Sequence, residues 1–538
     1  MTLRPLTLAC TLDCAGALCS AVQAAAPRIA VGADFVLVSR TDGTVWAWGQ
    51  GVDGQLGNGL RTSSSRPVQV TGLSGVVDVV AADSLAAALK ADGTVWVWGH
   101  GANGIFGSTR PDNTIRASTP VMIPQLSEVH ALALGHDGAA GFAADSRGRV
   151  FHWGNNYRGQ AGDGTASNNG AVRAVPRQVP GLADITVLAA ADDGFMAAAF
   201  GASVSAWGAN EAGALGVAQR STRGGAPLAV QPVAGVSDLL GIAALDINDN
   251  AWFAVQRDGS VAAWGTNRGW HASCGQVPTS TPVLTEPRTV AGLAGVLGQA
   301  GGAAHALFIN GQGQVLGCGS NSSGQLGDGS TTGADSARPG PLAAALSVPA
   351  VAVGAGRATS AAVALDGSVW VWGQLSQGAA GDGGTAGGMR VALQPQRVVA
   401  ASGGAAFSAG VGDQAAALYT GTQTGPLSRA TVDVGLSPLP GDVGREARLY
   451  LAALLPDGTL WLYSPAGGWQ APAGGSLPVF MTGVLTRHVA ARIFTDSDLR
   501  GTAGIQLLLG YGLGSTDAQA ASDLLARGTY GAALTLAD

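Results

Sequence analysis

Short runs of alternating apolar and polar residues recur along this chain, and one stretch shows the full pattern. Val76–Ala82 is rich in Val and Ala, and Ser84–Lys90 is a second apolar run. Asp92-Gly93 follows, and then Thr94–Trp98, in which small or polar residues alternate with large apolar ones. A period of two belongs to a half-buried strand. Asp-Gly is a two-residue hairpin signal, because glycine takes positive φ at little cost. A glycine-rich stretch comes next, then a run near Pro120–Ile123 that mirrors Pro67–Val70 upstream. The pattern predicts four short antiparallel strands in about fifty residues, with no helical periodicity between them.

The third of these strands returns along the chain. "DGTVWAWG" at Asp42–Gly49 becomes "DGTVWVWG" at Asp92–Gly99, "GRVFHWG" at Gly148–Gly154 and "SVSAWG" at Ser203–Gly208. "DGSVAAWG" at Asp258–Gly265, "GQVLGCG" at Gly313–Gly319 and "DGSVWVWG" at Asp366–Gly373 complete the series. The residue before the shared glycine is Trp48, Trp98, Trp153, Trp207, Trp264, Cys318 and Trp372, at spacings of 50, 55, 54, 57, 54 and 54. A fixed period of this length means an array of one supersecondary unit. A lone four-stranded sheet cannot bury both faces, but radially stacked sheets can, and closing the ring removes most exposed edge. The first strand of each unit is made of small residues, as in "DVVAAD" and "AVAVGAG", which suits convergence on an axis. The tryptophans fall where the sheets diverge and volume must be filled. The expected fold is all-β: a seven-bladed β-propeller of about 50–57 residues per blade.

The consensus DG-x-V-x-x-WG-x-N-x-x-GQLG-x-G resembles the repeats of the regulator of chromosome condensation family. Its nearest instances are Asp42–Gly59 and Gly313–Gly329, and the resemblance covers residues 28–426. It implies seven blades and, by analogy with the namesake, nucleotide exchange on a small GTPase. The fourth unit, with "EAGALG" at Glu211–Gly216, and the fifth, with "TNRGWHASCGQ" after Gly265, depart from the loop pattern. Ala405–Pro426 matches the first two strands of a further repeat, a half unit.

From about Ala430 the period stops. Apolar runs around the turn signal Pro456-Asp457-Gly458, and again at Ile505–Gly514, predict a small β-sandwich-like domain over 441–538, behind a linker at 427–440. Its ending resembles a module appended to exported proteobacterial proteins.

Composition narrows the function. Of the 538 residues 84 are glycine, yet the chain is 46% hydrophobic and only 12% charged, which argues for packed structure rather than disorder. Net charge is −6 and Lys90 is the only lysine, so a nucleic-acid partner is not expected. Residues 1–24 join an early Arg4 to an apolar stretch and a Val22-Gln23-Ala24 ending, the pattern of a secretory signal peptide. Export to the periplasm, cell surface or medium follows, and no later apolar run is long enough to span a membrane. Cys274 and Cys318 remain after such a leader; an oxidising compartment permits a bridge, but two independent buried thiols are the expectation.

No catalytic or metal-binding pattern emerges, and neither an enzyme nor a cofactor is expected. The histidines His100, His130, His136, His152, His271, His305 and His488 have no ligand spacing. His305 starts a second strand, where it packs a blade. Asp42, Asp92, Asp258, Asp366 and Asp457 cap their own turns. "DINDN" at Asp246–Asn250 lacks the glycine and terminal glutamate of a calcium loop and reads as a solvated loop. What varies is the loop after the third strand. Tyr157, Arg158, Arg268, Trp270 and His271 are its most interface-like residues and form the candidate binding face. The leading reading is an exported, non-catalytic, monomeric scaffold that presents this face to a protein or glycan. The alternatives are an exchange factor, by resemblance alone, and an enzyme using the axial pocket.

Overall fold

The structure, a computed structural model, describes residues 27–101, 104–107, 116–135, 138, 140–166, 173–191, 194–199, 203–210, 213, 215–217, 227–237, 239–245, 251–256, 258–267, 274, 280–331, 341–384, 388–400, 406–410, 418–424, 430–437, 446–455, 460–464, 468–470, 479–484, 489–497, 505–513, 516–517 and 530–535. The chain divides into two compact units, one spanning 22–413 and the other containing 414–538.

The first unit holds seven four-stranded sheets, each ordered as its strands occur in the chain. Blade 1 is β1 (Arg28–Val31), β2 (Phe35–Ser39), β3 (Val45–Gly49) and β4 (Ser64–Gln69). Blade 2 is β5 (Val76–Ala81), β6 (Leu85–Lys90), β7 (Val95–His100) and β8 (Arg116–Met122). Blade 3 is β9 (Val129–Leu134), β10 (Ala140–Asp145), β11 (Val150–Gly154) and β12 (Arg173–Gln178). Blade 4 is β13 (Ile185–Ala190), β14 (Gly194–Ala199), β15 (Ser203–Gly208) and β16 (Leu228–Ser237). Blade 5 is β17 (Leu239–Leu245), β18 (Ala251–Gln256), β19 (Val261–Thr266) and β20 (Val283–Thr289). Blade 6 is β21 (Val296–Gly301), β22 (His305–Asn310), β23 (Val315–Gly319) and β24 (Leu342–Ala343). Blade 7 is β25 (Ala350–Ala355), β26 (Thr359–Ala364), β27 (Val369–Gln374) and β28 (Val391–Arg397). Each first strand touches the first strand of the next blade, and β25 touches β1, so the ring is closed.

The third strand explains the repeated tryptophan-glycine pair. Pairing with the fourth strand slips by two residues at the tryptophan, between Ala47 and Gly49 in blade 1 and between Val97 and Gly99 in blade 2, so that three fourth-strand residues lie opposite it. This bulge leaves the tryptophan outside the ladder and gives the glycine positive φ, +104° at Gly99. A Cβ there would lie 2.3 Å from the Ser84 carbonyl oxygen, which instead accepts the His100 amide at 2.8 Å, so only glycine fits. The freed indole reaches the preceding blade. Trp98 Nε1 donates to the Gln55 carbonyl at 3.0 Å, Trp153 to Ile105 at 2.8 Å and Trp207 to Gln160 at 2.9 Å. Trp372 donates to Gln325 at 2.9 Å, and Trp48 donates to Ala379 at 3.1 Å, which joins blade 1 to blade 7. A second tie recurs beside the first. Gly59 N–H donates to Ser118 O at 2.9 Å, Gly329 to Leu393 at 3.0 Å and, across the closure, Gly383 to Ser65 at 2.9 Å.

The linkers between blades follow one pattern too. Five are pinned by a buried apolar residue, Leu73, Leu126, Leu182, Val236 and Leu293, and between blades 6 and 7 Leu346 is half-buried. At the closure the pin is Phe407, buried against Trp46 and Trp48 with ring centroids 5.7 and 5.8 Å away. Phe407 N–H donates to Val398 O, as Leu126 donates to Ile123 and Leu293 to Val290, but nine residues separate the pair rather than three. Ala409 N–H then bonds Gly367 O, and Thr41 N–H bonds Ala409 O. Residues 406–410 therefore occupy an inter-blade linker position and lead to the start of β1. Among the described residues the expected half unit at 405–426 is not a hairpin of its own: 406–410 take the linker position that closes the ring. Its second half, β29 (Leu418–Thr424), pairs with β30 (Ala430–Ser437) in the other unit.

Six of the seven blades carry a proline at one register of the outer segment, three residues before the residue that closes the ladder: Pro67, Pro120, Pro176, Pro287, Pro341 and Pro395. Proline removes a donor and blunts the edge against pairing with another chain.

The second unit has two antiparallel sheets. β29, β30 and β35 (Val489–Ser497) form one. The other contains β31 (Glu446–Leu454), β32 (Leu460–Ser464), β33 (Gly468–Gln470), β34 (Met481–Val484), β36 (Gln506–Leu513) and β37 (Tyr530–Thr535). Ala447, Leu449, Leu451 and Ala453 on β31, with Leu507, Leu509, Tyr511 and Leu513 on β36, alternate to give one buried face, the expected sandwich pattern. Among the described residues no helix is long and apolar enough to cross a membrane.

Candidate interaction face

Because strands alternate in direction, the loop after the first strand and the loop after the third emerge at the same end of every blade. The third-strand loops are held by a buried internal frame. Asn156 Oδ1 accepts the Ala161 amide at 2.7 Å, Asn210 accepts Leu215 at 2.9 Å and Asn321 accepts Leu326 at 2.9 Å. Gln55 Oε1 accepts the Asp53 amide at 2.9 Å, Gln160 accepts Arg158 at 2.9 Å and Gln325 accepts Ser323 at 2.8 Å. These Asn and Gln side chains are buried, and the same glutamines carry the carbonyls that receive the indoles. The frame therefore serves both the loop and the next blade, which is why N-x-x-G recurs in blades 3, 4 and 6 and Gly-Gln in blades 1, 3 and 6 while the two residues before that glycine change.

Those two residues are displayed. Val52 and Tyr157 occupy the same loop position in blades 1 and 3, and they are 51% and 47% exposed. Beside Val52, Asp53 pairs with Arg116 of blade 2 at 2.5 Å. Arg158 follows Tyr157 and is exposed. Ser322 is exposed at the matching place in blade 6, whereas Ser376 in blade 7 is buried. Of the five residues singled out from the sequence, the structure displays Tyr157 and Arg158; Arg268, Trp270 and His271 lie outside the described residues. Sequence reasoning missed Val52, although its register with Tyr157 was available.

Toward the axis at this same end, Asp34 lies with Arg357, Asp83 and Ser376 around it. Burial raises its pKa, against the opposing pull of Arg357 and the Ser376 hydrogen bond, and Asp83 adds to the rise. At the opposite end Asp42, Asp92, Asp258 and Asp366 cap their turns as expected. Asp258 Oδ1 accepts the Ser260 amide at 2.8 Å, and the Ser260 hydroxyl and amide hold the carboxyl below its ordinary pKa.

Three of the described histidines make contacts within the fold. His130 Nε2 lies 3.0 Å from Ile185 O, and His305 begins β22 as expected, 2.8 Å from Ser360 Oγ. His152 packs at a tilt against Phe142, with ring centroids 5.1 Å apart, and donates from Nε2 to Asn155 O at 2.9 Å; burial pushes its pKa down to about 3. Among the described residues no group of His, Cys, Asp and Glu is arranged to hold a metal. Asp246–Asn250, His136, His271 and His488 lie outside them.

One sequence expectation is corrected here. Cys274 and Cys318 are not independent thiols: they form a disulfide with Cα atoms 5.0 Å apart. The blade-5 loop brings Cys274 against Cys318, which stands where the other blades have an indole.

A closed ring of seven sheets with recurring loop frames and changing loop tips defines a repeat propeller. Residues 42–89, 147–198 and 312–363 match the regulator of chromosome condensation (RCC1) repeat, and residues 28–55 match a second description of it, so these segments carry RCC1-like repeats. The first three segments each run from the hairpin turn of one blade into the second strand of the next, so one sequence repeat staples two sheets.

Among curated proteins, E3 ubiquitin-protein ligase HERC2 of Homo sapiens is 27% identical over 330 residues, covering 58% of this chain and 6% of its own length. Probable E3 ubiquitin-protein ligase HERC6 of Homo sapiens is 30% identical over 206 residues, covering 37% of this chain and 18% of its own. The chain thus spans only a small part of these relatives. Among solved structures, yeast RCC1 (Prp20) bound to Kap60 has a TM-score of 0.57 at 21% identity, covering 74% of this chain and 92% of that one. Prp20p of Saccharomyces cerevisiae, described with its binding to Gsp1p and histones, has a TM-score of 0.52 at 21% identity, covering 61% and 80%. Human WBSCR16 has a TM-score of 0.51 at 20% identity, covering 61% and 85%. These likenesses share the propeller fold.

Proposed function

We propose that this protein is an exported, non-catalytic binding scaffold whose propeller takes a protein partner on the third-strand loop face, over blades 1 to 3. The observation that carries the reading is the pair Val52 and Tyr157: large apolar side chains left half in water at one register of a loop whose neighbours are buried and hydrogen-bonded. An exposed aromatic beside an arginine, on a rigid frame, has the composition of an interface anchor. Solved propellers of this fold are described in complex with Kap60 and with binding to Gsp1p, which favours protein over glycan as the partner class here. Placement outside the cytoplasm is supported by the signal-like residues 1–24 and by a buried disulfide of a kind that persists in oxidising compartments. In this reading the propeller acts as a monomer and the second unit attaches or orients it.

The test is site-specific photo-cross-linking in the native host. A photoreactive residue at Tyr157 is expected to label one defined protein outside the cytoplasm, and the same residue at Asp258, on the opposite end, is expected not to. Equal labelling from both ends, or labelling of cytoplasmic proteins alone, would refute the proposal.

A further inference from the structure

The junction between blades 5 and 6 departs from the other described junctions on both of its sides. Blade 6 lacks the wedge tryptophan and has Cys318. Blade 5 supplies the other cysteine, Cys274, from its third-strand loop, where no other blade has one. The disulfide joins the two departures, and both sulfur-bearing residues are buried. Cys274 holds φ of +50°, a left-handed conformation that a residue with a side chain keeps only where its surroundings impose it. Volume is compensated at the same place. Phe308, two residues along β22 from Ala306, the partner of Cys318, stands where other blades have Val38, Ala88, Ala143, Ala254 and Ala362. Its ring meets Phe253 of blade 5 edge-on at 5.3 Å.

We propose that the Cys274–Cys318 disulfide is a covalent replacement for the missing indole tie, and that the ring is completed at this junction only after the two thiols are oxidised. In that step each thiol loses a proton. The pair loses two electrons to a disulfide-bearing oxidant, which leaves as its dithiol, and the sulfur–sulfur bond forms. The chain is therefore a substrate of thiol–disulfide exchange during folding, whichever partner its loop face takes. The burial of both sulfurs makes this a staple set once, not a switch.

Two measurements on the full-length protein test the proposal. In a non-reducing tryptic digest the Cys274 and Cys318 peptides, separable after Arg288, are expected to travel as one cross-linked species; recovery of both as free thiols overturns it. Hydrogen exchange is then compared between the wild type and C274S/C318S. Protection across 251–266 and 305–319 is expected to fall at least tenfold while that across 85–99 is unchanged; equal protection in both proteins overturns it. If the double variant does not fold, the reduced and denatured wild type is refolded instead, with and without glutathione disulfide. Native protection at the junction is expected only with the oxidant, and full recovery with both cysteines alkylated overturns the proposal.

Discussion

Phe407 is the side chain on which closure of the ring most depends. Six linkers run between consecutive blades as continuous chain, whereas the seventh must hold the end of the propeller against its beginning with no covalent bond to β1. Phe407→Ala removes a ring that is 5% exposed and lies 5.7 and 5.8 Å from Trp46 and Trp48. A buried Phe→Ala change costs about 3–5 kcal/mol, of which each aromatic pair supplies about 0.5–1.5. Closing the longer seventh linker adds little, since loop entropy grows only with the logarithm of length. The expected loss is therefore about 3–4 kcal/mol, and its place matters more than its size. Hydrogen exchange should rise together in Phe35–Gly49 and Thr359–Gln374, the second and third strands of blades 1 and 7, because loss of the pin frees both. Blades 3 and 4 should keep their protection. A loss under about 1 kcal/mol by denaturant titration, or faster exchange confined to 398–410, would refute the reasoning.

Other substitutions probe other links. Gly99→Ala places a Cβ 2.3 Å from the Ser84 carbonyl at φ of +104°, so thermal unfolding should show a loss of roughly 2 kcal/mol or more. Asp92 has its pKa lowered because hydrogen bonds from Thr94 and Lys90 outweigh burial, which acts to raise it. Its contribution is full above the unfolded carboxylate value of about 3.9 and is lost as pH falls through the lower folded value. Asp92→Asn keeps the acceptor but not the titration, so melting temperatures measured from pH 7 to pH 2.5 should fall less steeply than in the wild type. His152 stays neutral in the fold down to about pH 3, so the unfolded chain binds its proton first, and stability should decline as pH drops from about 6.5. His152→Val, which copies Val97 of blade 2, should flatten that decline in the same melts.

Much of the propeller was legible because its rules are local. Asp-Gly turns, alternation over Thr94–Trp98 and the glycine after each tryptophan are each required within a few residues, so they survive in the sequence as a period. Phe407 was hidden for the opposite reason. Its partners Trp46 and Trp48 lie some 360 residues away, and "AAFSAGVGDQAAALY" resembles two strands of a repeat locally although its parts serve different units. The disulfide was hidden because Cys318 reads as a small buried residue until the fold brings Cys274 beside it. The loop face was half legible: Tyr157 and Arg158 stood out by chemistry, while Val52 acquires meaning only from the register it shares with Tyr157.

The most direct test of the account is the exchange rate of the indole protons in the intact protein, read by nitrogen-proton NMR. Trp48 bonds across the closure, and Trp98, Trp153, Trp207 and Trp372 bond between consecutive blades, so each is its neighbours' control. A closed ring predicts that all five exchange slowly and alike. An indole proton of Trp48 exchanging at the rate of free solvent, with the other four protected, would mean an open spiral and would contradict the account.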